Sequence, residues 1–372
     1  MDKTTLYGSS LSLYTGRARS YLIKAGIPYE ETIPNSAHFL NTVLPQMGGR
    51  QSIPTIELAS GEVIRDGAAI LEHFELLSDN RFSPKAKAVN VLSLLFDVIG
   101  SEGLLRPAMH YRWNFPDHND DFLQFHFETF IPQGMNKREM ATKRMNQMRS
   151  AGQAFGAVPD TYELIENLYT DLLIVLNEHF AQYPYLLGSN PSIGDFGLIA
   201  PMFGHLGRDP KPLSIMQSKA INVFRWVERM NRPDADIGEF TDQAQAYFDA
   251  DNIPSSLERV LKQIAIDFVP ESQAACKAIN LWLEQQSSLP SGTIVERGVG
   301  MCTFEVNGQM INALAQPYRF YLLERFQQAY QTLNENDQSV IDLVLAKSHM
   351  TALLDLSLDR KIGRENNREV WL

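Results

Sequence analysis

The stretch Ser52-Ile53-Pro54-Thr55-Ile56 decides how the N-terminal part of this chain is read. Its β-branched residues argue for a strand, yet proline cannot donate to a sheet ladder and is normally confined to strand ends, edges or bulges. One reading is simply a proline at the end of a strand. The other is a cis Ile53–Pro54 bond, which turns the Ile53 backbone outward. Its N–H and C=O then pair with an extended peptide ligand as a neighbouring strand would.

Working outward, Gly61 to Ile64 reads as a further strand after an Ala-Ser-Gly turn, and Asp66-Gly67 opens a helix that runs to about Leu77. Upstream, Thr4 to Tyr7 is a short strand entering the loop Gly8-Ser9-Ser10-Leu11-Ser12-Leu13. Tyr14 to Ala25 has helical spacing stopped by Gly26 and Pro28, and Pro28 to Ile33 is a second strand. Strand, helix, strand, then two adjacent strands and a helix within about eighty residues suit an α/β or α+β domain. Pro84 marks its end.

Beyond Pro84, apolar residues recur at helical intervals in Ala86 to Asp97, Tyr162 to Phe180, Ile193 to Leu206 and Lys219 to Met230, so an all-helical domain is expected to about Pro233. Pro107 to Pro132 is crowded with aromatic residues and histidines and has no clear assignment. A C-terminal extension, residues 234–372, follows. Ser255 to Phe268 and Glu271 to Leu283 read as two amphipathic helices, and Pro317 to Leu333 and Gln338 to Lys347 as two more, the last started by Asn336-Asp337. Between the pairs, Asn307-Gly308 separates alternating runs over 303–312, the strongest short signal for a β-hairpin.

Lys and Arg total 33 against 44 Asp and Glu, a net charge of −11 that repels phosphate backbones and anionic bilayers. Nucleic acid and membrane are therefore unexpected partners. Met1 to Gly8 contains no apolar segment of signal-peptide length, no run appears long enough to cross a bilayer, and a cytoplasmic location is expected. The two cysteines, Cys276 and Cys302, form no CxxC pair and read as buried thiols. The eight histidines show no HExxH pattern, so no metal is expected.

Three local features carry possible chemistry. Asp66 at a helix start accepts backbone N–H groups as a cap and also offers its carboxylate to an ammonium, while the helix N-terminus receives a carboxylate, so the two ends of an amino acid fit together there. Ser12 precedes another helix N-terminus, with Arg17 and Arg19 nearby, a setting able to stabilise a thiolate brought by a ligand; it is equally the place of an ordinary cap. The third is the Ile53–Pro54 backbone.

In this order and spacing the three resemble the glutathione transferase superfamily. Leu6 to Tyr14, with Ala25-Gly26-Ile27-Pro28-Tyr29-Glu30, is similar to the family's opening. Pro191-Ser192-Ile193-Gly194-Asp195-Phe196 resembles its capping box and Phe224 to Pro233 its last helix, whereas residues 234–372 match no family pattern. The resemblance implies a thioredoxin-like domain over 1–80, an all-helical domain over 85–233, and bound glutathione as co-substrate. It also implies a homodimer.

By the same resemblance Ile53 pairs with the cysteinyl backbone, Pro54 is the cis-proline, Asp66 and Gly67 hold the γ-glutamyl end, and Gln51 reaches the glycyl carboxylate. Ser12 falls on the catalytic serine of serine-type classes. Tyr7 is the rival, in the place where tyrosine-type classes carry their hydroxyl. Family members commonly have a serine where Gly67 stands, so here only a backbone N–H meets the γ-glutamyl carboxylate. The implied reaction is attack of a glutathione thiolate on a small, apolar electrophile, with ether-cleaving, dehalogenating and isomerising variants using the same thiolate. The aromatic segment Tyr111 to Phe130 reads either as a wall that receives the electrophile or as ordinary core packing. The alternative is a non-catalytic scaffold that uses the extension to bind a partner.

Overall fold

The strands of the N-terminal region pair in the order β2-β1-β3-β4, with β1 (Thr4–Tyr7) and β2 (Tyr29–Thr32) parallel and β3 (Thr55–Glu57) and β4 (Val63–Arg65) antiparallel to their neighbours. The computed structural model describes residues 3–49, 51–233, 239–240, 242, 246–286 and 288–372. Met1 and Asp2, read above with the N-terminal segment, and residues 234–238, which open the extension, lie outside the described residues.

Strand alternation sorts the side chains onto two faces. Leu6, Ile56 and Ile64 pack against Ala18 and Leu22 of α1 (Leu13–Ala25) and Ile70 of α3 (Gly67–Leu77). On the other face Tyr7 and Val63 meet Phe39, Val43 and Met47, carried by a π-helical turn (Phe39–Val43) and the short α2 (Leu44–Gln46). This is the expected thioredoxin-like domain.

The next region is all helix: α4 (Lys87–Val98), α5 (Leu105–Trp113), α6 (Pro116–Glu128), α7 (Lys137–Gly152), α8 (Tyr162–Phe180), α9 (Ile193–Gly204), α10 (Pro210–Lys219) and α11 (Ile221–Met230). The unassigned aromatic stretch is thus α5 and α6, started by Pro116 at a first-turn position where its missing N–H costs nothing. A π-helical turn, Ile99–Gly103, joins α4 to α5, and the resulting rod Lys87–Trp113 corrects the sequence expectation, being long and apolar enough to cross a bilayer. It is buried instead, 89% of its most apolar window lying inside the protein. Gly100 and Gly197 allow the rod and α9 to touch backbone to backbone, since a Cβ at Gly100 would lie 2.1 Å from the Gly197 carbonyl carbon. The capping box is present: Asp195 accepts from the Ser192 N–H at 2.9 Å and also from Leu186 N–H and the Trp226 indole, both at 3.0 Å.

The C-terminal region departs from expectation in three places. Its first two helices are one, α12 (Ser255–Glu284), which runs through Pro270. Proline removes a helical hydrogen bond, but Ile264, Phe268, Cys276 and Ile279 on both sides of it are buried, and that burial outweighs the local loss. After β5 (Thr293–Ile294), the hairpin β6 (Met301–Val306) and β7 (Gln309–Leu314) turns at Asn307 and Gly308, both at positive φ. Then α13 (Tyr318–Gln331) and α14 (Glu335–Lys347) follow, the latter capped by Asn334 rather than by Asn336-Asp337. A second hairpin, β8 (Ile362–Glu365) and β9 (Arg368–Trp371), was not anticipated; β5 adds to β9.

This region shares one core with the helical region, from Leu92 and Phe96 through Phe268 and Phe326 to Trp371. It also grips the N-terminal sheet. Asn367, in the β8–β9 turn, accepts from the Arg65 N–H at 3.1 Å and donates to the Val63 carbonyl at 2.8 Å and to Gln46 O at 3.1 Å. The outward Arg65 N–H and Val63 carbonyl of the β4 edge are thereby paired. The Arg65 guanidinium binds Asn367 O and Glu369, and Arg364 donates to Arg65 O.

Candidate functional site

The ends of three strands meet at one end of the thioredoxin-like sheet: the exit of β1, the entry to β3 and the exit of β4. The β1 exit leads through the loop to Ser12, the β3 entry carries Ile53-Pro54, and the β4 exit carries Asp66-Gly67. Asp66 N–H donates to Pro54 O at 3.0 Å, fixing the last two segments together. A Cβ at Gly67 would lie 3.7 Å from the Tyr14 carbonyl oxygen and 3.2 Å from Arg17 Cδ, so the start of α3 abuts the first turn of α1. The structure therefore brings together Ser12, Ile53, Pro54, Asp66 and Gly67.

Three of them carry polar groups without a partner among the described residues. The Ile53–Pro54 bond is cis, and neither the N–H nor the C=O of Ile53 has a partner among the described residues. Ser12 caps α1, its Oγ accepting from the Thr15 N–H at 3.2 Å; its own hydroxyl proton has no acceptor among the described residues. The loop that carries it is rigidly held. Leu11 N–H donates to Ser9 Oγ at 3.1 Å, and Arg112 donates to Leu11 O at 2.7 Å. Arg112 also forks onto Asp209 at 2.7 and 2.8 Å and reaches Gly204 O at 2.8 Å.

Asp66 adopts φ 86°, ψ 138° as the cap of α3. Its Oδ1 accepts from Ala68 N–H at 2.9 Å, Ala69 N–H at 3.3 Å and the Tyr318 hydroxyl at 2.9 Å. Its Oδ2 takes no protein donor among the described residues. Gln51 is exposed and one N–H of its amide donates to Pro34 O at 2.8 Å, which leaves the second N–H and the side-chain carbonyl without a partner among the described residues.

Tyr7 lies elsewhere. Its ring is on the sheet face away from α1, 4.8 Å from that of Phe39, and its hydroxyl donates to Glu57 Oε2 at 2.8 Å. Burial, reinforced by Glu57, pushes its ionisation well above the ordinary phenol range. The expectation that Arg17 and Arg19 attend a thiolate needs correction. Arg17 is buried, bound to Asp97 and to Ser101 Oγ at 2.7 Å, and Arg19 pairs with both oxygens of Glu31 at 2.6 Å. Both arginines serve interactions within the protein.

Two side chains that contact these residues were not foreseen. Tyr318 comes from the extension, and burial followed by the charge of Asp66 holds its phenol well above the ordinary range. Arg112 orders the Ser12 loop. No local motif marks either, because their partners are distant in sequence. The aromatic segment borders the loop: Leu11 packs with Trp113, Leu123 and Met145, joined by Phe122, Phe127 and Phe130.

Residues 6–82 match the family described as glutathione S-transferase, N-terminal domain. No curated protein matches the chain. Among solved structures, similarity is found to a beta-etherase from Sphingobium sp. strain SYK-6, with 14% identity over 62% of this chain and 95% of that one and a TM-score of 0.39. A glutathione S-transferase from Pseudomonas fluorescens is similar at 18% identity over 64% of this chain and 98% of that one, TM-score 0.34. One from Methylobacterium radiotolerans, solved in complex with glutathione sulfonate, is similar at 14% identity, 68% and 98% coverage and TM-score 0.37. The sequence match falls on a domain with this strand order and cis-proline, and residues 6–82 are a glutathione S-transferase N-terminal domain.

Proposed function

We propose that Ser12, Ile53-Pro54 and Asp66-Gly67 together bind glutathione, and that the chain is a transferase of alkyl or aryl groups. The observation that carries this reading is the free backbone of Ile53 beside an Asp66 whose Oδ2 is open. An extended peptide pairs with the first, and its amino-terminal ammonium meets the second. The remaining N–H of the Gln51 amide is the donor for the glycyl carboxylate.

The Ser12 hydroxyl, with its proton unspent at the N-terminus of α1, donates to the ligand sulfur and lowers the thiol pKa from about 8.5 toward neutrality. The thiol proton passes to solvent. The thiolate attacks an electrophilic carbon, the C–S bond forms, and the leaving group departs with its bonding electrons. The apolar cluster around Leu11 supplies the adjoining surface for a small hydrophobic electrophile. Tyr7, committed to Glu57, has no part in this scheme.

Burial of the rod Lys87–Trp113 supports a soluble chain. The apolar faces of α12 and α13 are spent inside the chain, which favours an enzyme over a partner-binding scaffold. A homodimer, as the resemblance implies, has Leu76 and Leu77 of α3, both 72% exposed, as apolar surface.

Calorimetric titration with glutathione, followed by ultraviolet titration of the bound thiolate, tests the scheme. Binding lost in Asp66→Ala and a thiol midpoint raised in Ser12→Ala but not in Tyr7→Phe are expected. Absence of saturable binding at millimolar glutathione refutes it, and so does a midpoint indifferent to Ser12.

A further inference from the structure

We propose that the C-terminal extension forms part of the ligand site, with Tyr318 as the residue that positions the amino-acid end of glutathione. The inference rests on the glutathione reading above and assigns that site a residue from outside the domain that defines it. The argument begins at Gly67, which has no side chain to offer a ligand. A serine hydroxyl there would compete for room with Arg17, whose Cδ lies 3.2 Å from the position of a Cβ. The only side-chain hydroxyl bonded to Asp66 among the described residues is that of Tyr318.

Tyr318 opens α13, and its hydroxyl donates to Asp66 Oδ1 at 2.9 Å. Two helix N–H groups of α3 converge on the same oxygen. Three donors saturate Oδ1, fix the carboxylate plane and leave Oδ2 as the acceptor for an ammonium. Having donated its proton to Asp66, the Tyr318 oxygen presents lone pairs, so it too accepts from an ammonium rather than donating to a carboxylate. Tyr318 therefore reads the amino group of the γ-glutamyl end.

The placement is not a loose surface contact. The adjoining Arg319 is buried, donating to Ser272 Oγ at 3.1 Å and to the Glu102 carbonyl at 3.1 Å, and α13 packs along α4. The phenol is thus held by the packing of α13, and the side chain that meets Asp66 arrives already oriented.

The test compares glutathione with glutaryl-cysteinylglycine, which lacks only the γ-glutamyl amino group, by calorimetry on the full-length chain and on Tyr318→Phe. The expected result is glutathione affinity weakened by about tenfold in the variant, with affinity for the deamino compound unchanged, since the lost interaction is one to a charged group. Equal weakening for both compounds means that Tyr318 only supports the fold, and it overturns the inference while leaving the glutathione reading intact. Tighter glutathione binding in the variant also overturns it, showing a phenol that occupies the ligand's place. No binding of glutathione by the wild-type chain sinks both readings at once. If Tyr318→Phe does not fold, amide exchange of the wild-type chain decides: glutathione is expected to slow exchange in the first turn of α13, and protection confined to residues 6–82 refutes the inference.

Discussion

Replacing Glu102 by glutamine isolates the electrostatic cost of one buried acid. Glu102 sits in the π-helical turn between α4 and α5, 3% exposed, with its Oε2 unpartnered among the described residues. Burial pushes its carboxyl up to about 8, outweighing the favourable charges of Arg319 and Arg17, with Glu271 and Asp66 adding to the rise. An acid raised in this way keeps its proton when folded and loses it when unfolded. Its contribution is fully present below the ordinary value of 4.5 and is lost as the pH rises through 8. One pKa unit is about 1.36 kcal/mol, so between about pH 5 and pH 8 the wild-type chain loses roughly 3–4 kcal/mol from this group alone. Glutamine keeps the shape and cannot ionise. At about 2.1 cal/mol/K of unfolding entropy per residue, the melting temperature of Glu102→Gln rises relative to wild type by about 4–5 °C over that range. Paired thermal melts followed by circular dichroism give the answer. A difference between the two proteins that stays constant with pH refutes the assignment of a buried, protonated Glu102.

Two further outcomes are expected. Asn367→Ala removes the acceptor of the Arg65 N–H and the donor to Val63 O, so amide exchange at Arg65 accelerates by about tenfold or more; unchanged exchange means that the clasp contributes nothing to the edge. Arg112→Met strands the fully buried Asp209 and releases Leu11 O, costing about 3–5 kcal/mol in denaturant unfolding, and Arg112→Lys recovers only part because it has no fork; full recovery by lysine refutes the bidentate account.

What the sequence disclosed and what it withheld divide along physical lines. Features set by neighbouring residues were legible: the helix Tyr162–Phe180 from its apolar spacing, the cap at Asp66, and the hairpin at Asn307-Gly308, where both residues need positive φ. The second hairpin was not, because Asn366-Asn367 reaches the same backbone geometry with no glycine to announce it. Pro270 misled because the local rule against proline in helices is overridden by apolar contacts on both sides. Arg17 and Arg19 were near Ser12 in sequence, but Asp97 and Glu31 draw their charges away. Tyr318 meets Asp66 across a separation of 252 residues, which no local pattern encodes.

The Asn367 clasp has a consequence in time. The β4 edge is complete once residue 65 has been synthesised, yet the side chain that covers it lies 302 residues further on. At about 5–20 residues per second, that edge stays open for roughly 15–60 s on every nascent chain. During this interval the thioredoxin-like domain has its sheet without its guard, and a second nascent chain in the same condition is its best-matched partner. Crowded translation of this protein therefore favours edge-to-edge pairing of incomplete chains, a hazard that ends only when the last strands emerge.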